Sequence, residues 1–370
     1  MQNTINKPIF IVGSPRSGTS VLSWCLDRHP NIFNVNESTG IGDFALAVAN
    51  CYQRKMGLGA DSLWTAMSVG RDEFLAAFGR TIDELVLSHK VDLEKSRWEQ
   101  AFAPNTPPHR FPAERAVSLA KLRWVDATPL YSFYIYGLRK LFPNALFIHI
   151  VRDVASVVQS ILNFHRLSGV NLVASEQEAY NIWFRSVSAC VLAEQAYGPK
   201  VVFRLRYAQL TDQPEVAMRA LLKFLSEPYA PECLAPLQKR INSSDVPLDS
   251  QLGDPKTDPA IIQQALLLDA EIQRASQASE LSPAAGAKME AAFYEEAHRK
   301  SQRLGKVQAR AKRLAREIKR KRAFIQELLA WRRRHKLRRL LFSYKSTALF
   351  SCTAYFADVI DCLDCLSATI

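Results

Sequence analysis

Cysteine is scarce and odd in number, seven in 370 residues, so no disulfide framework holds this chain together. Its one C-x-x-C pair, Cys362 and Cys365, stands in an apolar tail with no second pair to complete a metal site. Long apolar runs are also lacking. The longest charge-free stretch near the C-terminus, Ser346–Ala357, falls short of the about 20 residues a spanning helix needs. The opening MQNTINKPIFIVGS has no basic n-region, no long h-region and no small-residue cleavage site. The expectation is a soluble cytoplasmic protein, peripheral at a membrane if anything in the chain takes it there. With 14 Gly and 18 Pro, 48% hydrophobic and 23% charged residues, the chain is neither collagen-like nor wholly disordered, and it is long enough to bury a sizeable core unaided.

What is there in excess is positive charge, concentrated in one place. Residues 298–345 hold 19 Lys and Arg against two acids, Glu317 and Glu327. That is +17 in a chain of net +12, so the remainder carries −5. The same segment has an apolar stripe at 3-4 spacing: Leu304, Val307, Ala311, Leu314, Ile318, Ile325 and Leu328, interrupted by Lys321. Three partners suit such a helix. It docks on its own body or a second copy, or it lies on a membrane surface with Trp331, Leu337, Leu340, Leu341 and Phe342 among its arginines. Nucleic acid is the least suited, because no recognition module accompanies the charge.

Short apolar runs at Ile9–Gly13, 145–151 and 201–205 predict buried strands. Helical patterns cover residues 17–28, 129–141, 154–167, 176–197 and 213–226, and 40–103 is mostly helical in composition. Alternation of the two predicts an α/β fold, a P-loop-type parallel sheet wrapped by helices, with a C-terminal helical appendage. The organisation expected is an α/β domain at 1–250, a helical extension at 251–297, the basic amphipathic helix at 298–345 and an apolar tail at 346–370.

Residues 9–20, IFIVGSPRSGTS, are a strand, a loop with Gly13 and Gly18, and a helix start. That order makes a phosphate cradle, because a helix N-terminus offers unpaired N–H groups and the positive end of its dipole. Against the nucleoside-triphosphatase pattern G-x-x-x-x-G-K-[ST], Gly13, Gly18 and Ser20 fit, but position 19 is Thr, and the cation comes earlier as Arg16. No convincing acid stands at the end of a partner strand to hold Mg²⁺. A second segment, LFIHIVRDVASVVQS at 146–160, ends a strand on Arg152 and places Ser160 about two helical turns further on. A guanidinium fork and a hydroxyl converging on one anion, beside an anion-binding loop, favour a ligand with two separated phosphates.

These two segments together resemble the sulfotransferases that use 3′-phosphoadenosine-5′-phosphosulfate (PAPS). The PRSGT form resembles the tyrosylprotein, carbohydrate and bacterial branches. VVFRLRYAQLTDQPEVAMRALLKFLSEPY and INSS at 241–244 extend the resemblance to about residues 7–245. The resemblance implies PAPS as co-substrate and no metal. It implies that Arg16 stands near the bridging oxygen and that Ser17, Gly18, Thr19 and Ser20 hold the 5′-phosphate. Arg152 and Ser160 would take the 3′-phosphate and Tyr207 would lie near the adenine, unless Tyr207 is core packing. Glu37, in NVNESTG, matches the catalytic Glu of the tyrosylprotein and heparan-type branches; Asn34, Asn36, Gly40 and Gly42 supply turns that would return it to the loop. A solvated loop Glu is the other reading, and Asp43, His165, His29 and His149 are lesser rivals. One departure stands out: relatives carry EKTP or DKSP where this chain has DATP, so Ala127 replaces a lysine, and Arg16 alone or Arg123 would have to serve. The function expected is transfer of a sulfuryl group to a hydroxyl or amine of a saccharide, glycolipid or peptide. The alternatives are a P-loop kinase-like enzyme, or a non-catalytic phosphate-binding and membrane-tethering protein. Trp64, Phe74, Phe78, Trp98 and Phe102 would shape the acceptor pocket or fill a core.

Overall fold

The computed structural model describes residues 7–101, 121–238, 252–275, 277 and 280–342. The INSS stretch at 241–244, Phe102, the Cys362/Cys365 pair and the apolar tail at 346–370 lie outside the described residues, as does the side chain of Trp98. The chain divides into two compact units, one through Ser301 and one from Gln302 onward.

The first unit is built on five strands: β1 (Ile9–Val12), β2 (Ile32–Asn34), β3 (Arg123–Asp126), β4 (Leu146–Val151) and β5 (Val202–Arg206). They lie in the order β2-β3-β1-β4-β5, and every pairing is parallel. Register follows the side-chain period of two. Phe10, Phe33, Trp124, Phe147 and Val202 point to one face, and Ile9, Ile11, Ile32, Val125, Ile148, Ile150 and Leu205 to the other. A sheet apolar on both faces must be covered on both.

The helices run, in order, α1 (Thr19–Asp27), α2 (Ile41–Met56), α3 (Leu63–Ala66), α4 (Arg71–Ser88), α5 (Lys90–Ala101), α6 (Ile135–Leu141), α7 (Val154–Leu162), α8 (His165–Ser168), α9 (Glu176–Tyr197), α10 (Tyr207–Asp212), α11 (Pro214–Leu225), α12 (Pro259–Arg274) and α13 (Pro283–Phe342). Leu22, Cys25 and Leu26 of α1 and the apolar stripe Met218, Leu221, Leu222 and Leu225 of α11 cover one face. Helices α2, α4, α6 and the Phe293 turn of α13 cover the other. Helix α12 packs with α7 and α9 in a third cluster around Val157, Trp183 and Ile272.

Strands β2 and β3 were not expected from the sequence. β2 has three residues and β3 begins with Arg and ends with Asp, so neither shows an apolar run. The charge is tolerated because Arg123 is buried with partners: its guanidinium donates to the Leu225 carbonyl at 2.7 Å and to Glu227 at 3.1 Å. Phe74 is core, Trp64 packs against that core, and Phe78 is 39% exposed, so these aromatics are mainly structural. In the second unit every described side chain from 302 to 334 is exposed.

Candidate active site

Strand β1 ends between β3 and β4, and the chain leaves it in one direction for β2 and returns later to build β4 and β5 on the other side. In an open α/β sheet such a switch in direction leaves a crevice outside the carboxyl ends of the strands. The loop after β1 fills its near wall. Gly13 takes φ +153° and approaches the Ile150 carbonyl so closely that a Cβ would collide with it. Ser132 donates to the Gly13 carbonyl at 2.9 Å and fixes the loop from below. Arg16 sits in the left-handed region at φ +69°, a conformation that costs a residue with a Cβ about 1–2 kcal/mol.

Gly18, at φ +104°, caps α1 without any side-chain hydrogen bond. The first-turn N–H groups therefore receive no side-chain acceptor from their cap residue. A Cβ on Gly18 would lie 2.5 Å from the Tyr207 ring, so the glycine is also what lets that ring close against the loop. Ser17 Oγ is buried with no hydrogen-bond partner, an arrangement that a bound anion would repair. Thr19 is buried and Ser20 half-buried at the helix start.

The far wall comes from β4 and α7. Arg152 follows the last residue of β4, where its carbonyl accepts from Trp183 Nε1 at 3.1 Å. Its guanidinium lies 4.9 Å from the Tyr207 ring centroid, the same ring that touches Gly18. Ser160, on α7, accepts from Arg16 Nε at 3.1 Å. Arg16 in turn lies over the Phe164 ring at 5.0 Å. Burial and the neighbouring Arg152 lower the Arg16 guanidinium from its ordinary value, while Glu37 pulls it back up. Two guanidinium groups held this close repel each other, and anions between them would relieve that repulsion.

Glu37 reaches the crevice on a turn that the sheet itself holds. Asn36 and Thr39 both take positive φ, at 63° and 52°. The Asn36 carbonyl accepts from Ala127 N at 2.9 Å, and Thr39 N donates to Thr128 Oγ1 at 3.3 Å. Ser38 Oγ meets Asp126 Oδ2 at 2.5 Å and Tyr131 OH at 2.7 Å. Asp126 also accepts from Thr128 N at 2.9 Å and Thr128 Oγ1 at 2.7 Å. Burial raises the Asp126 carboxyl from its ordinary value, and the Ser38 and Thr128 donors pull it part of the way down. Burial and then Asp126 raise the Tyr131 phenol.

The structure thus brings Arg16, Ser17, Gly18, Thr19, Ser20, Glu37, Arg152, Ser160 and Tyr207 to one crevice. The rivals lie in other settings. Asp43 pairs with Lys300, which also donates to Tyr134 OH at 3.0 Å. His29 is buried against the Pro228 carbonyl at 3.0 Å, and His165 Nδ1 meets the Leu162 carbonyl at 3.0 Å. His149 is buried against Glu194 at 2.6 Å, and Glu194 also accepts from Arg204 at 3.0 Å.

Two sequence readings need correction. Arg123 cannot stand in for the lysine missing at 127, because it opens β3 and Asp126 closes it; the crevice is at the Asp126 end. An acid does stand at the end of a strand beside β1. It is Asp126, at the end of a strand that shows no apolar run, and both of its oxygens are engaged by Ser38 and Thr128. Ala127 is itself buried in the cluster with Ile11 and Val125. Phe164, beneath Arg16, is a further site residue that no sequence pattern marks.

Comparisons with known proteins show the family. The family model described as "Sulfotransferase family" matches residues 8–231. Protein-tyrosine sulfotransferase A of Caenorhabditis elegans is 24% identical over 222 residues, covering 60% of this chain and 50% of that protein. Protein-tyrosine sulfotransferase 1 of Danio rerio is 26% identical over 227 residues, covering 60% of this chain and 53% of that protein. The chain therefore spans about half the length of these curated relatives. A solved sulfotransferase from Mycobacterium avium aligns at 19% identity and a TM-score of 0.40, covering 75% of this chain and 79% of that one. With a family model matching well over half its length, from the first strand to the turn after α11, the chain belongs to the sulfotransferase family.

Proposed function

We propose that this protein transfers a sulfuryl group from PAPS to a hydroxyl or amine of an acceptor. The observation that carries the reading is the meeting of Arg16, Arg152 and Ser160 at the ends of β1 and β4, with Glu37 facing the same loop. The residues fit a doubly phosphorylated nucleotide: Ser17 Oγ is an orphaned buried hydroxyl, and a Cβ on Gly18 would strike the Tyr207 ring that closes against the loop. Ser17, Gly18, Thr19 and Ser20 would hold the 5′-phosphate on the α1 N-terminus, Arg152 and Ser160 the 3′-phosphate, and Tyr207 the nucleoside. The nucleotide supplies an activated sulfuryl group.

Transfer breaks the bond from sulfur to the bridging oxygen and forms one from sulfur to the acceptor oxygen or nitrogen. Glu37 takes the acceptor's proton as it attacks. Arg16 meets the charge that collects on the departing phosphate oxygen. Glu37 stands close enough to Arg16 to act on its guanidinium, which sets the base and the leaving-group cation on the same side of the loop. With Ala127 in the place of the family lysine, Arg16 carries leaving-group stabilisation from the protein side.

The named relatives are protein-tyrosine sulfotransferases, which supports a peptidyl tyrosine as the first acceptor to try, ahead of saccharide and glycolipid. The kinase-like alternative is weaker on two counts. Position 19 is Thr, and the oxygens of Asp126 are already taken by Ser38 and Thr128. Labelled PAPS with tyrosyl peptides, saccharides and glycolipids tests the activity. Calorimetry against 3′-phosphoadenosine-5′-phosphate and against ATP with Mg²⁺ separates the two enzymes; tight ATP·Mg²⁺ binding with none of the bisphosphate would overturn the proposal.

A further inference from the structure

None of the candidate site residues lies in the second part of α13. From 302 to 334 every described side chain is exposed, among them Leu304 at 58%, Val307 at 64%, Leu314 at 49% and Ile318 at 52%. Those 33 residues hold 13 Lys and Arg and two acids, Glu317 and Glu327. At roughly 100° per residue, Leu304, Val307, Leu314, Ile318 and Leu329 fall within an arc of roughly 80°, interrupted by Arg322 and flanked by Arg303, Arg310, Lys312 and Lys319, with Arg313, Arg316 and Arg320 on the far side. Beyond Phe324 the apolar residues spread over roughly 160°, taking in Leu328 and Trp331.

A partner for this helix must be anionic and also cover apolar surface. A second copy covers the stripe but sets one strongly cationic helix about 8–10 Å from another, within about one Debye length at physiological salt. A nucleic acid meets the cations and leaves the stripe in water. The widening arc with Phe324 and Trp331 exceeds the narrow seam of a paired helix. An anionic bilayer surface meets both demands: acyl chains take the apolar arc, phosphates take the flanking cations, and aromatic rings settle at the boundary. We propose that residues 302–334 form a membrane-surface helix that docks this protein on anionic phospholipid. Among the described residues no helix is long and apolar enough to cross a membrane, so the helix would lie along the interface.

The test uses the full chain and sedimentation with vesicles. Mixed phosphatidylcholine–phosphatidylglycerol vesicles should carry the protein down, pure phosphatidylcholine should not, and added salt should release it. Each Lys or Arg near the surface is worth about a fivefold change in binding, so R303Q/R310Q/K319Q, which removes three cations beside the apolar arc, should weaken it about a hundredfold. L314E/I318E should abolish it while leaving helical circular dichroism and 3′-phosphoadenosine-5′-phosphate binding unchanged. Three results would overturn the proposal. One is no binding to anionic vesicles. Another is binding that L314E/I318E does not touch, which would mean adsorption by charge alone. The third is a stable dimer in sedimentation velocity that L314E/I318E splits while vesicle binding persists.

Discussion

Replacing Ser38 with alanine isolates the device that holds Glu37. The hydroxyl spans two partners, Asp126 Oδ2 at 2.5 Å and Tyr131 OH at 2.7 Å. Tyr131 keeps its second contact, the Ile41 N–H at 2.8 Å, but Asp126 Oδ2 loses a donor in a buried setting. A hydrogen bond to a charged group is worth about 1.5–3 kcal/mol, and leaving the acceptor unpaired has a similar cost, so Ser38→Ala should lower stability by about 2–3 kcal/mol. Burial already raises the Asp126 carboxyl, and Ser38 is one of the donors pulling it down, so the variant raises it further. The sign follows. A carboxyl whose folded pKa lies above its unfolded value withdraws stability as pH rises through the folded value. The deficit of Ser38→Ala should therefore be largest at neutral pH and shrink in acid as Asp126 protonates. Misplacing a catalytic group by about 1 Å costs up to about 100-fold, so kcat should fall tenfold to a hundredfold with the KM for PAPS nearly unchanged. Ser38→Thr, which keeps the hydroxyl, should recover most of both losses. Denaturant unfolding across pH, beside steady-state kinetics, reads all of this. A stability loss with kcat untouched would show that the network supports the fold and does not aim Glu37.

Glu37→Gln should leave calorimetric binding of 3′-phosphoadenosine-5′-phosphate within about twofold and cut turnover by about 10²–10⁴; retained turnover would move the base elsewhere. Gly18→Ala should weaken nucleotide binding at least tenfold, since its Cβ lands 2.5 Å from the Tyr207 ring and the backbone there has φ +104°; calorimetry checks it. Glu194→Gln breaks the buried His149–Glu194–Arg204 group and should cost about 3–5 kcal/mol in denaturant unfolding. Burial opposes the Glu194 charge, but His149 and Arg204 outweigh it and hold the carboxyl below its ordinary 4.5. Its stabilisation is therefore full above that value and lost as pH falls through the folded one. The variant should show a flatter acid limb in its unfolding profile.

The sequence was informative where a single segment carried the structural signal. β1 and β4 are mainly apolar runs of four and six residues, β5 is a weaker run broken by Arg204 and Arg206, and the loop between β1 and α1 announces itself by its glycines. Helix α9 spans 176–197 as its periodicity indicates. Where the signal depended on pairing, it failed. β3 is recognisable only once Ile9 is set beside Val125, and only then does Asp126 reach the crevice with Ser38 and Thr128 around it. The helix expected over 154–167 breaks after Leu162 because Asn163 closes α7 and turns its amide back onto the Gln159 carbonyl at 2.8 Å. The same break sets Phe164 beneath Arg16. In the basic segment the charge was plain from the sequence, but the exposure of its apolar stripe was not, since spacing alone cannot say what covers a stripe.

Two anion sites gripping one nucleotide is the claim on which the catalytic account stands, and calorimetry with paired ligands tests it most directly. The wild-type protein should bind 3′-phosphoadenosine-5′-phosphate at least about 100-fold more tightly than AMP, because a second phosphate held by a guanidinium fork is worth several kcal/mol. Arg152→Ala should erase that difference and leave AMP affinity as it was. Equal affinity of the wild-type protein for the two nucleotides, or a preference that survives Arg152→Ala, would contradict the account.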